Sequence, residues 1–135
     1  PDIDTSTCKV NGTHFQTDLK NLDTNLTQTI LPQLKAALIV NKHVTGDIVM
    51  MNYYDPYQNI CPKTVSYVQT LNSHLTNDVS GFGIIVNVFR AFGGSKTPNK
   101  NICTYTWMCS LFTDIHPQDK GYSVIAGAFE NGTGY

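Results

Sequence analysis

Residues 113–122 carry the side chains of this chain that are best suited to acid–base chemistry. Asp114 precedes His116 by two residues, and Pro117 follows the histidine directly. A free imidazole exchanges protons near neutral pH because its pKa is about 6.5, and a neighbouring carboxylate fixes its tautomer and stabilises the protonated ring. The pattern therefore predicts a catalytic base, His116, oriented by Asp114. The alternative interpretation is a surface histidine in an ordinary turn that leads into a helix.

A helix is predicted directly after this histidine. Pro117 disfavours helical backbone at His116 and suits the first position of a helix, while Gly132 offers a stop. The apolar residues of its predicted buried face recur at helical spacing: Tyr122, Ile125, Ala126 and Phe129. We expect His116 to lie just outside the helix N-terminus, on a loop held by a packed element, where catalytic groups are common.

Composition and charge limit the classes of function. The 135 residues carry a formal net charge of −1, with 9 basic and 10 acidic residues and no run of like charge. No nucleic acid or anionic membrane partner is therefore expected. No apolar run is long enough to predict a transmembrane segment, and no signal peptide is recognisable. Since the sequence begins at Pro1 rather than at methionine, either a preceding portion has been removed or the sequence starts inside a longer chain.

The four cysteines predict two disulfides, and hence an oxidising environment and a secreted or extracellular protein. Three pairings are possible. Cys103 and Cys109 are close in sequence and are favoured as a local pair, which leaves Cys8 with Cys61. A zinc site made of Cys103, Cys109 and His116 is the alternative, but it lacks a Cys-x-x-Cys pair and a clear fourth ligand. No metal site and no cofactor are predicted.

The hydrophobic pattern predicts a helix, a strand, a helix, a strand, a long loop and a final helix. The predicted bounds are 15–38, 48–53, 64–79, 84–89 and 93–101, followed by the helix after Pro117. Pro32 is expected to kink or break the first helix. The alternation implies an α/β fold with a parallel sheet, and since two strands alone make a poor sheet, the chain is interpreted as half of a larger doubly wound domain. Loops that follow parallel strands meet at one edge of the sheet, so His116 is expected to face the tyrosine loop, residues 52–59.

Three blocks of the sequence resemble the C-terminal half of a secreted SGNH/GDSL-type ester hydrolase, an esterase or lipase. The blocks are Met-Asn-Tyr-Tyr-Asp-Pro-Tyr at 51–57, Cys-Thr-Tyr-Thr-Trp-Met-Cys at 103–109, and Asp-Ile-His-Pro at 114–117 with Gly-Tyr-Ser-Val-Ile-Ala at 121–126. The similarity spans about residues 15–130. It implies that residues 1–135 are a single domain or the C-terminal portion of an SGNH hydrolase domain. The implied fold is part of a flavodoxin-like three-layer α/β/α sandwich with a parallel sheet.

The resemblance also implies roles for two residues. His116 corresponds to the catalytic base, and Asp114 to the acid that orients it. The commonest family pattern has aspartate three residues before the histidine, where this chain has Thr113. The implied site is therefore either a triad that includes Asp114 or a dyad in which a backbone carbonyl orients the imidazole.

The family's Gly-Asp-Ser nucleophile block, its oxyanion-hole glycine block and its Gly-x-Asn-Asp block do not occur in this sequence. Four of the chain's own serines are weighed as replacements, and none lies on a predicted strand-to-helix elbow: Ser66, Ser73, Ser95 and Ser123. The resemblance therefore implies that an N-terminal Ser-bearing segment of the same enzyme completes the site. The chain alone is expected to be essentially inactive on the ester substrate, a lipid or an acylated sugar.

Four aromatic residues are candidates for substrate binding: Tyr53, Tyr54, Tyr57 and Trp107. The tyrosines either line an acyl or sugar-ester pocket or cover the sheet edge, and Trp107 either packs or forms a wall of the cleft. His14, His43 and His74 have no acidic partner at a suggestive spacing and are interpreted as surface or structural residues. The competing function is a non-enzymatic carbohydrate- or ligand-binding α/β module. An intertwined assembly that completes the sheet is a third possibility.

Overall fold

The computed structural model describes residues 3–111 and 113–134, and they form a mixed α/β protein. In chain order the elements are β1 (Ile3–Asp4), β2 (Lys9–Val10), α1 (Gly12–Asn25), a π-helical segment (Leu26–Ile30), α2 (Leu31–Ala37), β3 (Ile39–Val40), β4 (His43–Val44), β5 (Val49–Met51), α3 (Thr64–Val79), β6 (Ile84–Val86), α4 (Val88–Ala91), α5 (Lys100–Tyr105), a 3₁₀ turn (Trp107–Cys109) and α6 (Asp119–Thr133). Strands β1 with β2 and β3 with β4 form short antiparallel ribbons, whereas β5 and β6 pair in parallel.

The parallel pair β5–β6 confirms the predicted parallel sheet, and its side chains alternate between two apolar clusters. Met50 and Ile85 pack with residues of the first three helical segments and α3, whereas Met51 and Val86 pack with α6. This follows from the strand geometry, in which successive side chains point to opposite faces. Glycine is required at position 83, directly before β6, because a Cβ there would collide with the carbonyl oxygen of Ile48.

Pro32 was predicted to kink or break the first helix; in the structure the helical segments are contiguous, but the geometry changes from α to π at Leu26–Ile30, just before the proline. The helix passes through the π-helical segment just before the proline, where the Leu31 N–H bonds to the Leu26 carbonyl, and it continues to Ala37. Proline lacks an N–H, and its ring collides with the carbonyl four residues earlier in an α-helix, so a local widening of the helix accommodates it. The start of α1 is capped by Asn11, whose Oδ1 accepts the His14 N–H at 3.1 Å.

Several predicted boundaries differ from the structure. The ribbon strands β1 to β4 all lie outside the predicted helices and strands. The second predicted strand, 84–89, ends at Val86, because Asn87 accepts the Arg90 N–H at 2.9 Å and caps α4. The predicted loop 93–101 runs into α5, which Asn99 caps.

The last helix differs from its prediction in its start, its end and its buried face. It begins at Asp119, and Pro117 lies instead in an isolated antiparallel bridge to Thr106. It ends at Thr133, where Gly134 with φ of 75° provides the C-cap that was expected from Gly132. The predicted buried face is wrong at Tyr122, which is 57% exposed, and at Ala126, which is also exposed. The residues that pack on the sheet cluster are Val124, Ile125, Ala128 and Phe129.

Two disulfides cross-link the chain, Cys8–Cys61 and Cys103–Cys109, as the spacing predicted. The first joins the start of the described chain to the residue shortly before α3, and the second staples α5 to the 3₁₀ turn. Within residues 3–111 and 113–134, no helix combines the length and apolar content needed to cross a bilayer.

Candidate functional site

The imidazole of His116 is paired with the carboxylate of Asp114. The distance from His116 Nδ1 to Asp114 Oδ1 is 2.5 Å, and the His116 backbone N–H donates to the same oxygen at 2.9 Å. These two bonds, the backbone one first, hold the pKa of Asp114 below its ordinary value, so the carboxylate stays ionised in mildly acidic solution. With Nδ1 engaged, Nε2 is the nitrogen left to exchange a proton. Both side chains are accessible, with 71% of the His116 side chain and 47% of the Asp114 side chain exposed.

The backbone around this pair is held by the segment that follows α5. Trp107 N–H donates to the His116 carbonyl at 3.0 Å, and Asp114 N–H donates to the Trp107 carbonyl at 3.2 Å. Gln118 N–H donates to the Tyr105 carbonyl at 2.8 Å, and its side-chain Nε2 donates to the Thr106 carbonyl at 2.5 Å. The loop that carries His116 is therefore held by the segment around residues 105–107. The Cys103–Cys109 disulfide cross-links that same segment.

Gly121 allows α6 to approach this anchor. A Cβ at Gly121 would collide with the Tyr105 carbonyl oxygen and would come within 3.0 Å of the Pro117 side chain. Only glycine permits that contact between the first turn of α6 and α5. The same close packing explains the exposure of Tyr122, since Gly121 occupies the position on the helix that faces α5.

A cavity of about 560 Å³, here called the His116 cavity, lies beside the imidazole. Its lining residues are Met51, Tyr53, Tyr54, Pro56, Ile115, His116, Pro117, Tyr122, Ile125 and Phe129. The structure thus brings three predicted site residues together, His116, Tyr53 and Tyr54, and it leaves Tyr57 and Trp107 out of the lining. Sequence reasoning missed the contribution of Tyr122, which had been assigned to the core.

Asparagines secure the tyrosine loop at the carboxyl ends of both parallel strands. Asn52 Oδ1 accepts the Phe89 N–H at 2.9 Å, and Asn52 Nδ2 donates to Asn87 Oδ1 at 3.1 Å. Asn72 on α3 bonds to both the N–H and the carbonyl of Tyr53, each at 2.8 Å. The backbone of Tyr53 is therefore held by the Asn72 side chain, while Asn52 ties the start of the loop to the segment that follows β6.

The rest of the tyrosine loop folds around Asp55, which is 1% exposed. Its carboxylate accepts the Thr64 hydroxyl at 2.6 Å and the Tyr57 N–H at 3.0 Å. Burial raises the pKa of Asp55, and these hydrogen bonds oppose that rise. The Tyr57 carbonyl accepts the Cys61 N–H at 2.7 Å, which places Tyr57 in the turn before α3 rather than at the cavity.

Tyr54 connects the tyrosine loop directly to the His116 loop. Its hydroxyl donates to the Ile115 carbonyl at 2.7 Å, and its ring stacks on Phe92 with centroids 4.3 Å apart. Burial, followed by the neighbouring groups Tyr122, Asp114 and Tyr53, raises the pKa of Tyr54 to about 12. The Tyr54 hydroxyl therefore stays protonated at neutral pH and can donate a hydrogen bond.

A second imidazole–carboxylate pair lies away from the cavity. His74 Nδ1 on α3 is 2.9 Å from Asp23 Oδ1 on α1, although 51 residues separate the two in sequence. No acidic residue at a suggestive sequence spacing indicated this partner, which comes from another helix. His14 is likewise 3.2 Å from Asp18, whereas His43 lies in β4. Within the described ranges, no group of three His, Cys, Asp or Glu residues is placed to hold a metal ion.

An accessible imidazole that is oriented by a carboxylate and faces an apolar cavity is suited to taking a proton from a hydroxyl or water bound there. Comparisons of the chain with protein-family models, with curated proteins and with solved structures found no match.

Proposed function

We propose that this chain is the C-terminal part of a serine ester hydrolase of the SGNH/GDSL type. His116 is its catalytic base, and Asp114 orients and stabilises the imidazole. The observation that carries the proposal is the His116–Asp114 pair itself, with Nδ1 bound to the carboxylate while the ring lines an apolar cavity beside a parallel strand end. The sequence blocks that resemble the family contribute the histidine and all three cavity tyrosines.

Ester hydrolysis by this route requires a nucleophilic hydroxyl, a base and hydrogen-bond donors for the oxyanion. A serine hydroxyl attacks the ester carbonyl while His116 Nε2 takes its proton, and the imidazolium then protonates the departing alcohol. Water repeats the sequence on the acyl-enzyme. Asp114 stays ionised throughout, in keeping with its lowered pKa. In the described part of the chain no serine lines the His116 cavity, so the nucleophile and the oxyanion donors come from an N-terminal Ser-bearing segment.

The partner segment completes a flavodoxin-like three-layer α/β/α sandwich in this proposal. The support is that β5–β6 has apolar clusters with helices on both faces, while no third described strand pairs with either outer edge. The cavity is lined by Met51 of β5 and by no residue of β6. A strand added along the free edge of β5 would therefore end next to His116, where parallel strands of such folds present catalytic groups.

The cavity lining favours an ester with an apolar acyl group, from a lipid or an acylated sugar. Aromatic and aliphatic side chains make up nearly all of its wall, and such walls bind apolar groups with a few polar groups for orientation. The two disulfides fit an oxidising compartment, which supports secretion of the enzyme.

The test is reconstitution of the chain with its Ser-bearing N-terminal segment. The mixture should hydrolyse p-nitrophenyl esters, and His116→Ala should abolish that hydrolysis. His74→Ala is the matched control, because it removes an imidazole of the second pair and should leave the rate within about twofold. Hydrolysis that survives His116→Ala would remove His116 from the mechanism.

A non-enzymatic ligand-binding module is the second candidate. It is favoured by one observation, that none of the described serines lies at the cavity, where Tyr53 and Tyr122 expose aromatic surface. Tyrosine-fluorescence titration of the isolated chain with mono- and oligosaccharides tests it. Saturable binding that is lost in Tyr53→Ala and kept in His116→Ala would favour this candidate over the hydrolase.

A further inference from the structure

We propose that Tyr54 is a positioning residue, whose hydroxyl fixes the peptide unit between Ile115 and His116 and thereby aligns the His116–Asp114 pair. The inference deepens the proposed function and assigns Tyr54 a role other than contact with substrate. It rests on how one peptide plane is held from both sides.

The Ile115–His116 peptide has two polar groups, and each has one partner. Its carbonyl accepts the Tyr54 hydroxyl at 2.7 Å, and its N–H donates to Asp114 Oδ1 at 2.9 Å. In a trans peptide these groups point in opposite directions, so fixing the carbonyl also fixes the direction of the N–H. The same Asp114 oxygen receives His116 Nδ1. Tyr54 therefore restrains the oxygen that orients the imidazole.

Tyr54 can act as a rigid support because its ring is itself anchored. The ring stacks on Phe92 at an interplanar angle of 12°, and Phe92 is 1% exposed. Phe92 in turn meets the edge of Tyr105 at a centroid distance of 5.2 Å. Tyr105 also supplies the carbonyl that anchors Gln118. The Tyr54 ring is therefore held in the core by Phe92, which itself contacts Tyr105, while the Tyr54 hydroxyl bonds to the His116 loop.

Nothing else in the described structure duplicates this contact. Trp107 N–H holds the next carbonyl, that of His116, which belongs to the peptide on the other side of the histidine. Tyr53 is 54% exposed, and its hydroxyl makes no hydrogen bond within the described residues. Without the Tyr54 hydroxyl, the Ile115–His116 peptide would be held only by the Asp114 side chain, which is the group that this peptide orients.

The first experiment uses the isolated chain and requires no activity. Tyr54→Phe removes one oxygen and keeps the stacked ring, and Tyr67→Phe is the matched control, on α3 beside Phe15. In Tyr54→Phe the backbone amide of His116 should exchange with solvent about tenfold faster, as for the loss of one hydrogen bond. The pKa of Asp114, followed by carboxyl ¹³C NMR, should rise towards its ordinary value. Wild-type amide exchange and carboxyl titration in Tyr54→Phe would overturn the inference.

The second experiment separates positioning from substrate contact. In the reconstituted enzyme, Tyr54→Phe should lower kcat about tenfold at unchanged KM, while its thermal unfolding matches that of Tyr67→Phe. A raised KM at unchanged kcat would make Tyr54 a substrate contact and would overturn the inference. If the NMR changes occur but reconstituted wild type has no esterase activity, the proposed function fails while the role of Tyr54 in aligning the pair stands.

Discussion

Two of the three imidazole–carboxylate pairs among the described residues lie in clearly different surroundings. His116 and Asp114 are two residues apart on a loop, are largely exposed, and adjoin the apolar cavity. His74 and Asp23 join α3 to α1, with about a third of each side chain exposed (35% and 34%), and neither lines that cavity. The distances are similar, at 2.5 Å and 2.9 Å.

The neighbours of each pair decide its role. The loop pair keeps one imidazole nitrogen towards open space, where a reacting hydroxyl fits. Asp78 lies close to the helix pair: burial raises its pKa, and the negative charge of Asp23 adds to that rise. One Asp78 oxygen is buried with no hydrogen-bond partner in the described chain. A short histidine–carboxylate distance therefore does not by itself identify a catalytic site.

The largest expected difference between the pairs is in catalysis. Asp114→Asn should lower kcat of the reconstituted enzyme by roughly 10²–10⁴, because an amide cannot stabilise the imidazolium and favours the wrong tautomer. Asp23→Asn should leave kcat within about twofold. Initial-rate kinetics on p-nitrophenyl esters measure both. Equal losses in the two variants would show that the loop pair has no special role.

The next largest expected difference is in how much the disulfide near each region contributes to the free energy of unfolding. Cys8–Cys61 closes a sequence separation of 53 residues around α1, and Cys103–Cys109 closes one of 6 residues beside the His116 loop. By chain entropy, replacing both cysteines of the first with serine should lower the free energy of unfolding by about 4 kcal/mol, and of the second by about 2 kcal/mol. Urea unfolding of the two double variants measures this, and the reverse order would contradict it.

A smaller effect tests how tightly the loop pair is supported. Gly121→Ala should lower the free energy of unfolding by about 1–3 kcal/mol. The added methyl group would force α6 away from the Tyr105 carbonyl and would disturb the segment that holds the His116 loop. Gly127→Ala, in the same helix with open space around the new Cβ, should stabilise the protein by up to about 1 kcal/mol. Thermal unfolding compares them. Equal stability of the two variants would show that the contact at Gly121 is loose.

The response to pH should have opposite signs in the two regions. Since folding lowers the pKa of Asp114, its contribution to stability is complete above the ordinary aspartate pKa of about 4 and is lost as the pH falls through the lowered value. Folding raises the pKa of Asp78, so its contribution is greatest below about pH 4 and decreases as the pH rises through the raised value.

Two asparagine variants read out those signs. Relative to wild type, Asp114→Asn should be less stable at pH 7, and the difference should close in acid. Asp78→Asn should become more stable than wild type as the pH increases from 4 to 7. Urea unfolding across that range checks both. A stability difference for Asp78→Asn that shrinks with rising pH would reverse the assigned direction.

The sequence predicted the elements whose signal is local and continuous. The strand β5 was predicted from a short continuous apolar run, and α3 from an apolar stripe that keeps helical spacing over its full length. The ribbon β3–β4 was missed because its turn residues, Asn41 and Lys42, both have positive φ without the glycine that usually signals such a turn.

The site was predictable to the extent that it is local. Asp114 and His116 are neighbours in sequence, whereas His74 and Asp23 meet only through helix packing, which no spacing rule detects. Tyr122 was assigned to the buried face because it lies at helical spacing from Ile125 and Ala126. The helix instead turns Gly121 towards the Tyr105 carbonyl, and the next residue is carried about 100° around the axis, towards the cavity.

The two-stranded sheet has a consequence for handling the purified chain. Its outer strands present main-chain N–H and C=O groups that other copies can pair with, and a net charge of −1 provides little mutual repulsion. Concentrated alone, the polypeptide is expected to form edge-to-edge oligomers that scatter light. A segment that covers β5 would therefore act as an intramolecular chaperone as well as a source of the nucleophile.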